Sequence, residues 1–216
     1  MDLPLFAAAS LSTHQIFPML RTFAILAASL FVTPGVLAYS PVAGDIVFHT
    51  STSAQSAAVQ AATHSKYSHM GIVLFRGGRP FVLEAVQPVK YTALESWLNR
   101  GAGQHYVVKR LKSPLTSSAL SKLDLESLQY LGKPYDLTFE WSDEKIYCSE
   151  LVWKLYKSAL GIELAPLAKL GSFDLEFPAV KAKLKQRFPN GVPLDEPVIA
   201  PSAIFESVLL VTVAKR

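Results

Sequence analysis

The sequence predicts an α+β fold, a largely antiparallel sheet packed against a few helices. Three observations point there. "HMGIVLF" (69–75), "RGGR" and "FVLEAV" (81–86) form two β-rich runs about a Gly-Gly turn, the pattern of a β-hairpin. "TSSALSKLDLESLQYLG" and "CSELVWKLYKSALG" carry apolar residues near helical spacing, and each stops at a glycine, Gly132 and Gly161. The chain has 216 residues and is half hydrophobic, enough for one good core and cramped for two full domains.

The remaining elements follow in order. "GDIVFHT" (44–50) alternates and reads as a strand entered through a Gly-Asp turn. "STSAQSAAVQAATHS" is Ala-rich, opens on capping residues and reads as a short helix. After the hairpin, "YTALESWLNR" is a short helix and "QHYVVKRL" a strand. "KPYDLTFEWSDEKIY" is an aromatic-containing loop between the two longer helices. Residues 162–200 are Pro-rich and irregular, and "PSAIFESVLLVTV" gives one helical turn and a last strand. Repeats and low-complexity tracts are absent from the sequence.

The N-terminus reads as a targeting segment. From Met19, a short positive region (Arg21) precedes an apolar run from Phe23 to Val32, a Pro34-Gly35 break and Val36-Leu37-Ala38. Small residues at 36 and 38 suit signal peptidase, so cleavage is expected after Ala38. The run is shorter than the roughly 20 residues of a spanning helix, which makes a retained anchor the second choice. With no cysteine after it, a lipoprotein anchor is excluded. The expected organisation is an upstream extension plus signal peptide over 1–38 and one domain over 39–216, exported to the periplasm or outside the cell.

Charge excludes little but narrows the partners. The formal net charge is +4 and the isoelectric point about 9.1, a weak preference for anionic surfaces. The densest basic run, "KAKLKQR" (181–187), is a solvated helix face, and no basic block is interleaved with aromatics, so nucleic acid is not an expected partner. The mean hydropathy of +0.26 owes part of its sign to the N-terminal segment.

Cys148 is the only cysteine. Oxidising compartments pair cysteines, but a single thiol cannot form an internal bridge. Three roles are open to it: a buried small hydrophobe, a metal ligand or a nucleophile. Its place at the start of "CSELVWKLY" puts it at the positive end of a helix dipole, which favours a thiolate, and beside free backbone N–H groups able to hold an oxyanion. Leu151, Val152, Leu155, Tyr156 and Ala159 form the apolar face that would anchor it.

The hairpin supplies two further groups. With Gly77-Gly78 as the turn, Arg76 faces Arg79 and Gly71 faces Glu84, so His69, Gly71 and Glu84 share one face of the sheet. His69 and Glu84 are then diagonal neighbours about 7–8 Å apart at the backbone, and Gly71 leaves Glu84 room to lean toward the ring. A carboxylate accepting one ring N–H fixes the tautomer and stabilises the imidazolium. An ordinary strand-end histidine with a salt-bridge partner is the plain alternative, but an unpaired glutamate inside "FVLEAV" would be costly to bury. Taken together, Cys148, His69 and Glu84 read as nucleophile, base and orienting residue. A zinc site from His49, His64, His69 and Cys148 matches no standard spacing. No serine-hydrolase elbow, phosphate loop or dinucleotide fingerprint is present, and no cofactor is called for.

The segments "GDIVF", "KYSHMGIVL", "FVLEAV", "LGKPYD" and "YCSELVWKLY", in that order across roughly residues 42–160, resemble the permuted papain-like amidases of the YiiX/YebB type. These belong to the NlpC-like cysteine peptidase superfamily and are related in layout to lecithin:retinol acyltransferases. Ordinary papain-like enzymes place the cysteine before the histidine, whereas here His69 precedes Cys148, as in the permuted group. The resemblance implies a circularly permuted papain-like fold and a Cys148–His69–Glu84 triad. It implies pocket or supporting roles for Asp45, Tyr135, Asp136 and Tyr147, with the backbone N–H groups of Cys148 and Ser149 at the oxyanion. Acyltransferase relatives carry a second histidine where this chain has Glu84, and "NCEHF" where it has "YCSEL"; both differences favour an amidase. The expected substrate is a peptide amide, of the kind found in cell walls. The runners-up are a lipid thioesterase or acyltransferase and a catalytically silent binding module.

Overall fold

The computed structural model describes residues 39–216; the expected signal peptide lies outside the described residues. Six strands form one antiparallel sheet: β1 (Ile46–His49), β2 (His69–Arg76), β3 (Arg79–Glu84), β4 (Lys90–Ala93), β5 (Val107–Leu111) and β8 (Leu210–Lys215). Their spatial order is β4-β3-β2-β1-β5-β8. The β2–β3 hairpin pairs Arg76 with Arg79 and Ile72 with Leu83, the register expected from a two-residue turn. Gly77 and Gly78 both have positive φ (56° and 75°), as a turn that twists with its strands requires.

Alternation sorts the sheet's two faces. Ile46, Phe48, Ile72 and Leu83 look toward helix α4 (Cys148–Leu160) and pack on its Leu151, Val152 and Leu155, all fully buried. Val47, Val73 and Val82 look the other way, onto Leu94 and Trp97 of α2 (Leu94–Leu98). Burying three such aliphatic side chains of α4 contributes about 1.5–3 kcal/mol each, so the helix is fixed along its length and its first residue is held in place with it. Gly161, at φ 71°, ends α4 as expected.

Helices α1 (Ser56–Thr63), α3 (Ser117–Ser127) and α6 (Pro201–Phe205) fall where the sequence predicts helix, but α3 ends at Ser127, ahead of the expected stop at Gly132. Two regions differ from expectation. β4 was not foreseen: four residues after Pro88, too short for a periodic signal, pair with β3 from Phe81↔Ala93 to Glu84↔Lys90. The Pro-rich stretch holds more structure than its composition implies. Within it α5 (Pro178–Arg187) opens on a proline at its first turn, and β6 (Ala168–Lys169) and β7 (Pro197–Val198) form a short antiparallel ladder.

Gly71 sits where the hairpin is tightest. A Cβ there would lie 2.7 Å from the Leu83 carbonyl oxygen and clash with Val82 Cγ1. Backbone cannot yield as a side-chain tip can, so Gly71→Ala is expected to lower unfolding stability by about 1–3 kcal/mol. A urea melt followed by tryptophan fluorescence measures it; an unchanged midpoint would contradict the packing described.

Candidate active site

His69 is the first residue of β2 and Cys148 the first of α4, so both stand at element ends where the layers meet. Glu84 closes β3 and is fully buried. Its Oε2 lies 2.7 Å from His69 Nε2. That contact occupies one ring nitrogen and leaves Nδ1 for the thiol. Cys148 and Glu84 act on the same ring: burial opposes its charge, yet these two partners push the His69 pKa up to about 9. Cys148 itself is nearly buried.

Glu84 has four donors besides a strand position. Thr92 Oγ1 donates to Oε1 at 2.6 Å and Trp97 Nε1 to Oε2 at 2.9 Å. The Arg100 guanidinium binds both oxygens, Nη1 to Oε1 at 3.1 Å and Nη2 to Oε2. Burial would raise the carboxyl's pKa; hydrogen bonds from His69, Arg100 and Thr92 override it and hold the group well below the usual carboxylate range. Thr92, Trp97 and Arg100 went unseen in the sequence because β4 did. Only pairing β4 beside β3 brings "TALESWLNR" back over Glu84.

A second histidine lies beside the first. His49 pairs with His69 across β1 and β2, stacks on Trp97 at 4.1 Å and is buried. Burial first, then the neighbouring His69 and Arg100, lower its pKa to about 3, so it is neutral.

The supporting residues separate into two groups. Tyr135 borders the site with Cys148, and its hydroxyl accepts from Gln55 Nε2 at 3.4 Å. Tyr147 caps α4: its N–H donates to Glu150 Oε2 at 3.3 Å and its hydroxyl accepts from Ile199 N at 3.0 Å. Ser149 Oγ donates to Ile199 O at 2.7 Å, which ties the helix start to the 198–201 segment. Asp136 is buried and shapes its own loop, accepting from Thr138 N (2.7 Å), Thr138 Oγ1 (2.7 Å) and Glu140 N (2.6 Å). Asp45 is not brought to the site. It stands at the opposite end of β1 from His49, where Arg110 Nε (2.6 Å) and Nη2 (2.8 Å) and Val42 N (2.9 Å) bind it.

Comparison with known proteins agrees with this layout. A family model described as permuted papain-like amidase enzyme, YaeF/YiiX, C92 family, matches residues 40–214. The chain belongs to this family. Among permuted papain-like amidases, the protein YiiX of Escherichia coli K12, itself uncharacterised, is 47% identical over 192 residues, covering 89% of this chain and 95% of YiiX. A crystal structure of YiiX from Escherichia coli O157:H7, described as a metalloprotein, superposes with a TM-score of 0.80 at 48% identity, over 82% of this chain and 99% of that one. The fold is therefore the permuted papain-like one, and the family's chemistry is of the cysteine-hydrolase kind.

The charged ring has a signature in stability. The raised pKa of His69 means that the folded state holds this proton more tightly than the unfolded chain does. Its stabilising contribution is complete below the unfolded value near 6.5 and is lost as pH rises through about 9. Glu84→Gln is expected to shrink the difference between urea midpoints measured at pH 6.5 and pH 9.5; an undiminished difference would mean that Glu84 does not hold the proton.

Proposed function

We propose that the protein is an exported cysteine hydrolase that cleaves an amide bond through Cys148, His69 and Glu84. The observation that carries this reading is the chain of contacts from a buried carboxylate to an imidazole to the sole thiol at a helix start. An imidazolium and a helix N-terminus beside a sulfur both favour the thiolate.

In the proposed cycle Cys148 Sγ attacks the amide carbonyl carbon. First-turn N–H groups of α4, at Cys148 and Ser149, have no acceptor inside the helix and stabilise the oxyanion. The C–N bond breaks as the His69 proton passes to the nitrogen, and the amine leaves. Water then attacks the thioester, giving its proton to His69. The C–S bond breaks, the acid departs and the thiolate–imidazolium pair is restored. Glu84 keeps the ring turned toward the thiol and stabilises its charge throughout.

No step runs through a metal. Among the described residues no group of three or more His, Cys, Asp or Glu side chains is placed to hold an ion. His69 Nε2 is engaged by Glu84. Among the described residues, these donors do not make a metal centre.

Alkylation tests the nucleophile without a substrate. Cys148 should react with iodoacetamide at pH 6 much faster than an ordinary thiol, which is almost wholly protonated there. An ordinary pH curve, or a folded protein that does not react, refutes the proposal. With a substrate in hand, Cys148→Ser should leave almost no turnover and Glu84→Gln should cost about 10²–10⁴-fold. Glu95→Ala, on the exposed side of α2, serves as the control with unchanged turnover.

Export rests on the Met19–Ala38 pattern. Protein recovered from whole cells should begin at Tyr39 by N-terminal sequencing; a soluble cytoplasmic form retaining residues 1–38 would overturn this part.

A further inference from the structure

One buried titratable group has no part in the proposed cycle. His49 ends β1 directly opposite His69, and the two ring centroids lie 5.3 Å apart with a tilt of 32°. The indole of Trp97 covers one face of His49 at 4.1 Å and is nearly parallel to it, at 8°. Gly101 backs His49 so closely that a Cβ there would lie 2.8 Å from His49 Cβ and 3.0 Å from Cγ. The ring is held in one place, and the residue is only 2% exposed.

A phenylalanine would fill this slot with no polar atom to satisfy. The imidazole instead leaves Nδ1 buried without a hydrogen-bond partner among the described residues, an arrangement that costs free energy. With Nδ1 shut in, Nε2 is the nitrogen left to face the cleft of about 1180 Å³ that His49 and His69 both border, with Ser51 and Gln87. This cleft gives water a path to His69.

The hydrolytic half of the cycle needs such a group. Once the amine has left, His69 is neutral; its Nε2 stays on Glu84 and its Nδ1 is free to accept a proton. A water held by one hydrogen bond still turns about it, and a second bond fixes where its lone pair points. One water can join two nitrogens about 4.5–5.5 Å apart. Rings whose centroids are 5.3 Å apart suit that span. His49 can hold the water without taking its proton. Burial first, then the charges of His69 and Arg100, lower its pKa to about 3, against an opposite pull from Glu84.

We infer that His49 is a further catalytic residue, which orients the hydrolytic water beside His69 for the attack that releases the acyl group. This inference rests on the cysteine-hydrolase reading and deepens its second step. In that step the water oxygen bonds to the thioester carbon as its proton passes to His69 Nδ1. The C–S bond then breaks, the acid leaves and Cys148 Sγ departs as the thiolate. Acylation proceeds without His49, so only deacylation depends on it.

The test uses two substitutions of nearly equal shape. His49→Gln keeps polar atoms at the cleft, and His49→Met has similar length without a strong one. Both variants and the mature wild-type protein are mixed with 4-nitrophenyl acetate. The thiolate displaces 4-nitrophenolate and an acetyl thioester forms on Cys148; single-turnover absorbance reads this step. Decay of the acetyl-Cys148 mass after the ester is removed reads hydrolysis. His49→Met is expected to acylate within about twofold of wild type and to deacylate roughly ten to a hundred times more slowly, the scale of a misplaced reactant. Its acetyl-enzyme should therefore accumulate. His49→Gln should deacylate within about threefold of wild type, as a hydrogen-bonding replacement allows. Glu95→Ala should match wild type in both steps. His49→Phe keeps the stack on Trp97 and repeats the test should loss of the ring harm folding.

Wild-type deacylation in the Met and Phe variants overturns the role of His49 and leaves the cysteine hydrolase standing. A Gln variant no faster than the Met variant does the same. Slowing of both steps by one factor makes His49 structural and also overturns it. A wild-type protein that releases no more 4-nitrophenolate than Cys148→Ser overturns the hydrolase reading and this inference with it.

Discussion

The arrangement depends on one buried carboxylate. Glu84 lies wholly out of water, where an ionised side chain without partners would be prohibitively costly. It is satisfied by an imidazole, an indole, a hydroxyl and a guanidinium drawn from β2, α2, β4 and the residues after α2. The same bonds that remove the cost of burial fix the relative positions of those elements. Glu84 is a structural hub and the orienting partner of His69 at once, so fold and site share one solution. Arg100 is the half-exposed member of the set and, with His69, borders an open cleft.

The thiol side is held by different means. Cys148 has no such network; it rides on α4, whose buried Leu151, Val152 and Leu155 lock the helix to the sheet. The helix start is then pinned laterally by Ser149 and Tyr147 to Ile199. One half of the site is thus placed by hydrogen-bonded charge and the other by apolar packing. They meet because β2 and α4 both begin at the same end of the molecule, which is where backbone N–H groups are free and a cleft can open.

The parts of this that were legible in the sequence are those governed by local periodicity. The Gly77-Gly78 turn fixes the hairpin register, and the register fixes which residues share a face with His69; both hold in the structure. The apolar face of α4 and its stop at Gly161 are equally local. The five segments that resemble permuted papain-like amidases carried the fold, and the family match over residues 40–214 bears that out. What the sequence hid is what only long-range contact creates. Four-residue β4 has no period to detect, so Thr92, Trp97 and Arg100 could not be assigned to Glu84. The "GD" entry reads as supporting the site or its own turn, and it is the turn that Asp45 supports, through Val42 N, while its partner Arg110 comes from β5, away from His49. Gln55 and Arg187, joined by a 2.8 Å hydrogen bond, lie far apart in the chain, although the helix face at 181–187 that carries Arg187 was legible as part of α5.

The two neighbouring histidines show how narrowly the surroundings decide the chemistry. His49 and His69 face each other across a β-ladder, and both are buried. Burial disfavours the charged form of each ring. His69 has a carboxylate and a thiol as partners, and its pKa rises to about 9. His49 has an indole face, and its Nδ1 is buried with no hydrogen-bond partner; its pKa falls to about 3. A positive charge on His69 further disfavours one on His49, so the pair carries a single charge on the ring that faces the thiol. Neutral His49 then stacks between Trp97 and the site without competing for Glu84. The stack also shields the His69–Glu84 contact from water, which strengthens it.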